Sequence, residues 1–239
     1  VVQNISSPEI LEARKGVVEF LLINHPLDCP VCDQAGECKL QDLGYEHGLS
    51  ESRYEFERRE FEVIDIGDKI KLHMNRCILC YRCVKTADQL TDGRVHGVIN
   101  RGDAAEISTY IEQAIDNEFS GNVIDVCPVG ALTDKTFRFK QRVWFTKPMD
   151  AHRNCPTCSG KVRLWIKGED VLRVTARKDQ WDEVEEFICN SCRYDHKKKS
   201  DWQIEGPSQI NRHSVISQNH YAHLNQQKLE QLKQQNALG

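Results

Sequence analysis

The eleven cysteines of this 239-residue chain fall into three sets, and the first is mixed with a histidine. His25-x3-Cys29-x2-Cys32-x5-Cys38 places one imidazole and three thiols on a short stretch, where Pro26, Pro30 and Gly36 bend the backbone so that all four can converge. A [4Fe-4S] cube takes one ligand per iron on a wide shell, so a long loop with uneven spacings suits it; zinc favours two compact Cys pairs. The competing reading makes His25 a cation at a helix C-terminus and Cys38 a buried apolar residue. As a ligand, His25 needs an acceptor for its second ring nitrogen, and Asp28 or a backbone carbonyl is the natural candidate.

Cys77-x2-Cys80-x2-Cys83, with Cys127-Pro128 far downstream, has the spacing of a bacterial-ferredoxin loop: three thiolates on one turn and a fourth delivered by a remote Cys-Pro. Four thiolates also bind zinc, but three ligands compressed into one loop suit a cube better than a tetrahedron. Arg76, Arg82 and Lys85 flank this loop, either offsetting cluster charge or forming a solvated face. The third set, Cys155-x2-Cys158 and Cys189-x2-Cys192, brackets a hairpin and looks like a zinc ribbon, each pair making one knuckle. Cys155-Pro156-Thr157-Cys158 also fits a redox dithiol, which convergence of four cysteines argues against. His47, His73, His96 and His152 are expected as surface or capping residues.

Those ligands need elements to carry them. Ser7-Pro8-Glu9 and the apolar spacing of Ile10, Leu11, Val17, Val18, Leu21 and Leu22 predict a helix from about Pro8 to Ile23, then a ligand loop and a second helix from Glu37 to Leu43. Tyr54 to Ile66 reads as one or two strands, Tyr81 to Leu90 as helix, Val95 to Asn100 as strand and Ile111 to Phe119 as a short helix. Val123 to Val126 looks strand-like, with a helical restart at Val129, and Val162 to Val174 alternates around a turn at Gly168. The expected fold class is α+β. Its parts are a helical loop domain with one-histidine, three-cysteine ligation at 1–66, a ferredoxin-like [4Fe-4S] domain at 67–147, a small β-rich four-cysteine domain at 148–196 and an extended polar docking tail at 197–239.

Composition narrows the function. Lys plus Arg number 32 against 36 Asp plus Glu, a net charge of −4, which excludes a nucleic-acid binder driven by bulk charge. The longest apolar run, Val17 to Ile23, is interrupted by Glu19 and falls far short of the roughly 20 residues that span a bilayer. No signal-peptide pattern opens the chain, so a reducing compartment, in which clustered thiols mean metal, is expected. An odd number of cysteines in clusters makes a disulfide framework a poor explanation. Neither G-x-G-x-x-G nor a phosphate-binding loop is visible, so the chain is expected to conduct electrons without binding the hydride donor, and no catalytic residue is assigned.

The runs Glu19 to Cys38, Arg76 to Cys83 and Asp125 to Leu132 resemble the large iron-sulfur subunit of respiratory complex I, the NADH:quinone oxidoreductase, over about residues 8 to 145. The resemblance implies two [4Fe-4S] clusters, held by His25, Cys29, Cys32 and Cys38 and by Cys77, Cys80, Cys83 and Cys127, that pass single electrons from a flavin-bearing, NADH-binding subunit toward quinone-module subunits. It implies a place in a peripheral arm on the cytoplasmic side of the inner or plasma membrane, with no direct membrane insertion and no nucleic-acid partner. Family members usually begin with a [2Fe-2S] domain and many continue into a molybdopterin-type domain; no Cys precedes Cys29, so this chain is expected to be a shortened form lacking both. Longer members open that last domain with C-x2-C-x3-C and a distant Cys; Val162 stands at the third position here, while Cys189 falls near the fourth and Cys192 could replace the missing one. The set Cys155, Cys158, Cys189 and Cys192 is therefore read as zinc or a third [4Fe-4S] cluster. The rival functions are a subunit of an NAD-linked hydrogenase or formate dehydrogenase carrying the same histidine-containing loop, and a zinc-binding scaffold.

Overall fold

The computed structural model describes residues 7–49, 51–90, 96–109, 115, 117–179 and 181–208. Pro8 takes the first turn of helix α1, Pro8–Leu22, where its missing amide hydrogen would have had no intrahelical partner. Val18 is buried, and Leu21 and Leu22 pack on the central core. The Cys-rich loop follows, with Cys29–Val31 forming one 3-10 turn, before α2, Lys39–His47, packs back on α1. Gly44 faces α1 at this contact, where a Cβ would stand 3.7 Å from Leu22 Cδ1.

Strands β1, Val63–Asp65, β2, Ile70–His73, and β5, Leu132–Asp134, make an antiparallel sheet in the order β1-β2-β5, pairing Ile64 with Leu72 and Lys71 with Thr133. Helix α3, Arg82–Leu90, and a hairpin of β3, His96–Ile99, and β4, Glu106–Thr109, cover it with α4, Asn122–Val126. One hydrophobic core holds Cys38 of the first set beside Cys83 and Cys127 of the second, together with Leu72, Val123 and Leu132. The pairing of β1 with β2 thus crosses the boundary expected near residue 66.

The third cysteine set sits in an antiparallel sheet of order β8-β7-β6-β9. Its strands are β6, Lys147–His152, β7, Lys161–Lys167, β8, Asp170–Ala176, and β9, Gln203–Pro207, with helix α5, Asn190–Tyr194, packed on β8. The turn between β7 and β8 uses Gly168 at φ 61°, a left-handed conformation open to glycine. Both faces of β7 are buried: Val162 and Leu164 join Cys189, Cys192, Ile188 and Trp202, while Trp165 meets Phe137 and Val143.

Several expectations give way. Val123 to Val126 is helical, because its β-branched residues sit in a short turn held by tertiary hydrogen bonds through Asn122 and Asp125. The restart at Val129 is instead a turn into β5. Of the strands expected over Tyr54 to Ile66, only β1 forms. Residues 203–207, expected in the polar tail, add the strand β9 beside β6, and Trp202 enters the core. The helix expected over Ile111 to Phe119 and the tail beyond 208 lie largely outside the described residues.

Candidate metal centres

His25 follows α1 and is half-buried, and its Nδ1 is buried with no hydrogen-bond partner among the described residues. Burial first, opposed by Asp28 and assisted by Arg76 and Arg58, holds its pKa down at about 4, so the imidazole stays neutral, the form that ligates metal. The expected acceptor, Asp28, is taken by another residue: Arg76 donates through Nε at 3.0 and 3.2 Å and through Nη2 at 2.5 Å. Cys29 lies in the 3-10 turn, Cys32 ends it, and Cys38 is the residue before α2. Gly36 at φ 87° turns the chain between the last two. Burial raises all three thiols, Cys38 to about 12, so neutral sulfur is favoured until a cation compensates the charge. Arg142 donates to the carbonyls of Cys32 and Pro30 and pins the loop from outside.

The second set lines one recess. Cys77, Cys80, Cys83 and Cys127 form its walls with apolar residues including Ile107 and Val129, and the recess is partly open to solvent. Leu79 at φ 54° and Tyr81 at φ 60° adopt the left-handed conformation at alternate positions between the cysteines, which winds the loop around the recess. One consequence is an amide from Leu79 to Cys77 Sγ at 3.3 Å. Burial pushes Cys77 up to about 11 and raises Cys83 and Cys127 as well. An apolar recess walled by four thiols, and a buried imidazole nitrogen with nothing to bond, both fit a thiolate-ligated and histidine-ligated cluster.

The third set is the tightest. It is the group of His, Cys, Asp or Glu donors, among the described residues, whose donor atoms all lie within 4.8 Å of one another. Cys155 and Cys189 sulfurs are 3.7 Å apart, Cys158 and Cys189 3.6 Å, and Cys158 and Cys192 3.7 Å. Cys155 and Cys158 lie in the loop joining β6 to β7, closed by Arg153 N on Gly160 O at 3.1 Å. Gly160, at φ 68°, is required because a side chain would strike the Arg153 carbonyl. Gly160 N donates to Cys158 Sγ and Cys192 N to Cys189 Sγ, both at 3.4 Å.

Four contacts escaped sequence reasoning. Arg76, read as an ordinary flanking charge, is 3% exposed and joins the first two loops through Asp28. Gly130 brings those loops together, since a Cβ on it would collide with Cys32 Sγ. Arg193, 1% exposed, pairs with buried Asp125, and Arg173 forms a bidentate pair with Glu37 at 2.6 and 2.8 Å. Gly130 lies in the quoted Cys127-Pro128-Val129-Gly130 run, but the arginines offered no local signal. His96, expected as a surface or capping residue, is 1% exposed, and neither ring nitrogen has a hydrogen-bond partner among the described residues.

Residues 14–53 match the NADH-ubiquinone oxidoreductase-G iron-sulfur binding region, and residues 67–133 the ferredoxin-like domain of NADH-quinone oxidoreductase subunit 3. The chain is 41% identical over 189 residues to the NADH-ubiquinone oxidoreductase 75 kDa subunit of Reclinomonas americana, covering 79% of this chain and 27% of that one. The chain belongs to the family of the large iron-sulfur subunit of NADH-quinone oxidoreductase. The family's member in Rickettsia felis is 39% identical over 196 residues, 82% of this chain and 29% of that one. The mitochondrial iron-sulfur protein 1 of NADH dehydrogenase from Solanum tuberosum is 42% identical over 188 residues, 79% and 25% of the two chains. The chain therefore spans about a quarter of the length of the curated relatives it matches. A crystal structure of an NAD+-reducing [NiFe]-hydrogenase superposes with a TM-score of 0.51 at 27% identity, covering 58% of this chain and 60% of that one.

Proposed function

We propose that this chain relays single electrons within an NADH:quinone oxidoreductase of the complex I type. His25, Cys29, Cys32 and Cys38 hold one [4Fe-4S] cluster, and Cys77, Cys80, Cys83 and Cys127 hold a second. A bound cluster supplies a site that takes up and releases one electron at a time. The chain's own residues bring the two sites together on one hydrophobic core. The observation that carries the reading is the contact at Gly130: the loop leading from Cys127 lies directly on Cys32, beside a core that holds Cys38 of the first set and Cys83 and Cys127 of the second. Arg76 and Arg142 hold the first loop with fixed positive charge, which offsets the charge of thiolates and cluster.

Electrons enter from a flavin-bearing, NADH-binding subunit and leave toward quinone-module subunits, with the chain in the peripheral arm on the cytoplasmic side of the inner or plasma membrane. The described residues contain no helix long and apolar enough to cross a membrane. Exposed Phe20, Leu27, Val31, Phe145 and Trp181 supply apolar surface of the kind that partner subunits cover. The likeness to an NAD+-reducing hydrogenase supports a second reading, an electron relay in such an enzyme. Affinity capture of the chain from its source under anaerobic conditions separates the two. Copurifying NADH-oxidising flavoprotein with quinone-reductase activity supports the first; hydrogen-dependent NAD reduction in the captured assembly supports the second.

A further inference from the structure

We propose that Cys155, Cys158, Cys189 and Cys192 hold a single zinc ion, not a third cluster, and that this ion fixes the turn from Cys189 to Arg193 against the element that delivers Cys127. The sulfur geometry carries this independently of the relay. In a tetrathiolate with zinc-sulfur bonds of about 2.3 Å, the sulfurs stand about 3.8 Å apart, from the edge of a regular tetrahedron. The three close sulfur pairs, at 3.6 to 3.7 Å, match that edge. A cube binds each thiolate to a different iron and must hold the sulfurs well beyond that spacing. The amides of Gly160 and Cys192 donate to sulfur in each Cys-x2-Cys turn, placing positive hydrogen-bond donors where thiolate charge concentrates. Four sulfurs close the coordination shell, which leaves no open position for a reacting ligand, so the ion's role is structural. Between single ions that accept four thiolates, zinc binds more tightly than ferrous iron.

The turn that the ion closes is stitched to α4. Ile188 N donates to Asn122 Oδ1 at 3.0 Å, and Asn122 Nδ2 returns a bond to Ile188 O at 2.8 Å. Gly121 N donates to Asn190 Oδ1 at 3.0 Å. Arg193, next to Cys192, donates to both Asp125 oxygens, and Asp125 also accepts from Ala176 N at 3.0 Å. Two residues after Asp125 comes Cys127. The metal thus holds the wall of the neighbouring recess in place from behind.

The test uses the full chain, purified anaerobically. One zinc per chain with about eight iron, and zinc-edge X-ray absorption showing sulfur neighbours alone, is the expected result. About twelve iron without zinc, or about nine iron without zinc, overturns the zinc assignment while leaving the relay standing. Zinc without iron after anaerobic reconstitution supports the zinc site and removes the relay. Cys192→Ser is expected to lose the zinc. Should that variant misfold, chelation of the wild-type chain gives the second readout. With iron unchanged, hydrogen exchange at the amides of Gly121, Ala176 and Ile188 should quicken at least tenfold. Unchanged exchange at all three after zinc removal contradicts the bracing role.

Discussion

Gly130 lies so close to Cys32 that a methyl group on it would occupy the space of the Cys32 sulfur. Nothing about the backbone of Gly130 requires glycine, so the demand is one of space between two loops. Gly130→Ala should cost about 1–3 kcal/mol by overpacking. It should also displace Cys32, lowering iron in the first site while the second keeps its own. Thermal unfolding together with iron per chain checks this; an alanine variant with full iron and unchanged stability would show that the loops do not meet here.

Arg76 and Asp28 form the charged joint beside that contact. Removing one partner from a buried pair costs about 3–5 kcal/mol, because the other is left uncompensated, and the partial exposure of Asp28 puts this pair at the lower end. The sign of the electrostatic effect differs between partners. Arg76→Leu removes positive charge near the first site, disfavours an added electron and should lower its midpoint potential. Asp28→Asn should raise it. Potentiometry on both variants checks the pair, and shifts of the same sign would contradict it.

His25→Cys replaces a neutral ligand by a thiolate. The variant should keep a cluster with a lower midpoint potential, since the site gains one negative charge. An unchanged potential in a fully loaded variant would exclude His25 as a ligand.

Lys197 supplies the pH dependence. Its Nζ is buried without a hydrogen-bond partner among the described residues. Burial, opposed by Asp134, lowers its pKa from the ordinary 10.5 to about 8. A base held below its unfolded pKa destabilises the fold while charged. The loss is complete below pH 8 and fades as pH rises toward 10.5, reaching up to about 3 kcal/mol at neutral pH. Lys197→Met should therefore stabilise the chain at pH 7 and have little effect near pH 10.5. Denaturant melts across that range measure the difference, and a pH-independent gain would place its origin elsewhere.

The ligands were legible in the sequence because metal binding constrains residue type and spacing locally: Cys77-x2-Cys80-x2-Cys83 lies on one loop whatever surrounds it. The β7–β8 hairpin was equally legible, with alternation and Gly168 at its turn. Helix α4 was not, because Val123 and Ile124 favour strand and the helix is held by Ile188 and Arg193, more than sixty residues away. Arg76 read as a flanking charge, and Arg173 and Arg193 gave no signal, for the same reason: their carboxylate partners are remote in sequence. β9 hid in a polar segment because its pairing with β6 asks little of its side chains, most of which are exposed.

The relay is tested most directly by potentiometric titration of the anaerobically reconstituted chain, followed by electron paramagnetic resonance. Two distinct [4Fe-4S] signals are expected, each taking up one electron. The signal at the first site should shift in His25→Cys, and the signal at the second should vanish in Cys80→Ala. A fully iron-loaded chain that shows only one reducible centre, or none, would contradict the relay.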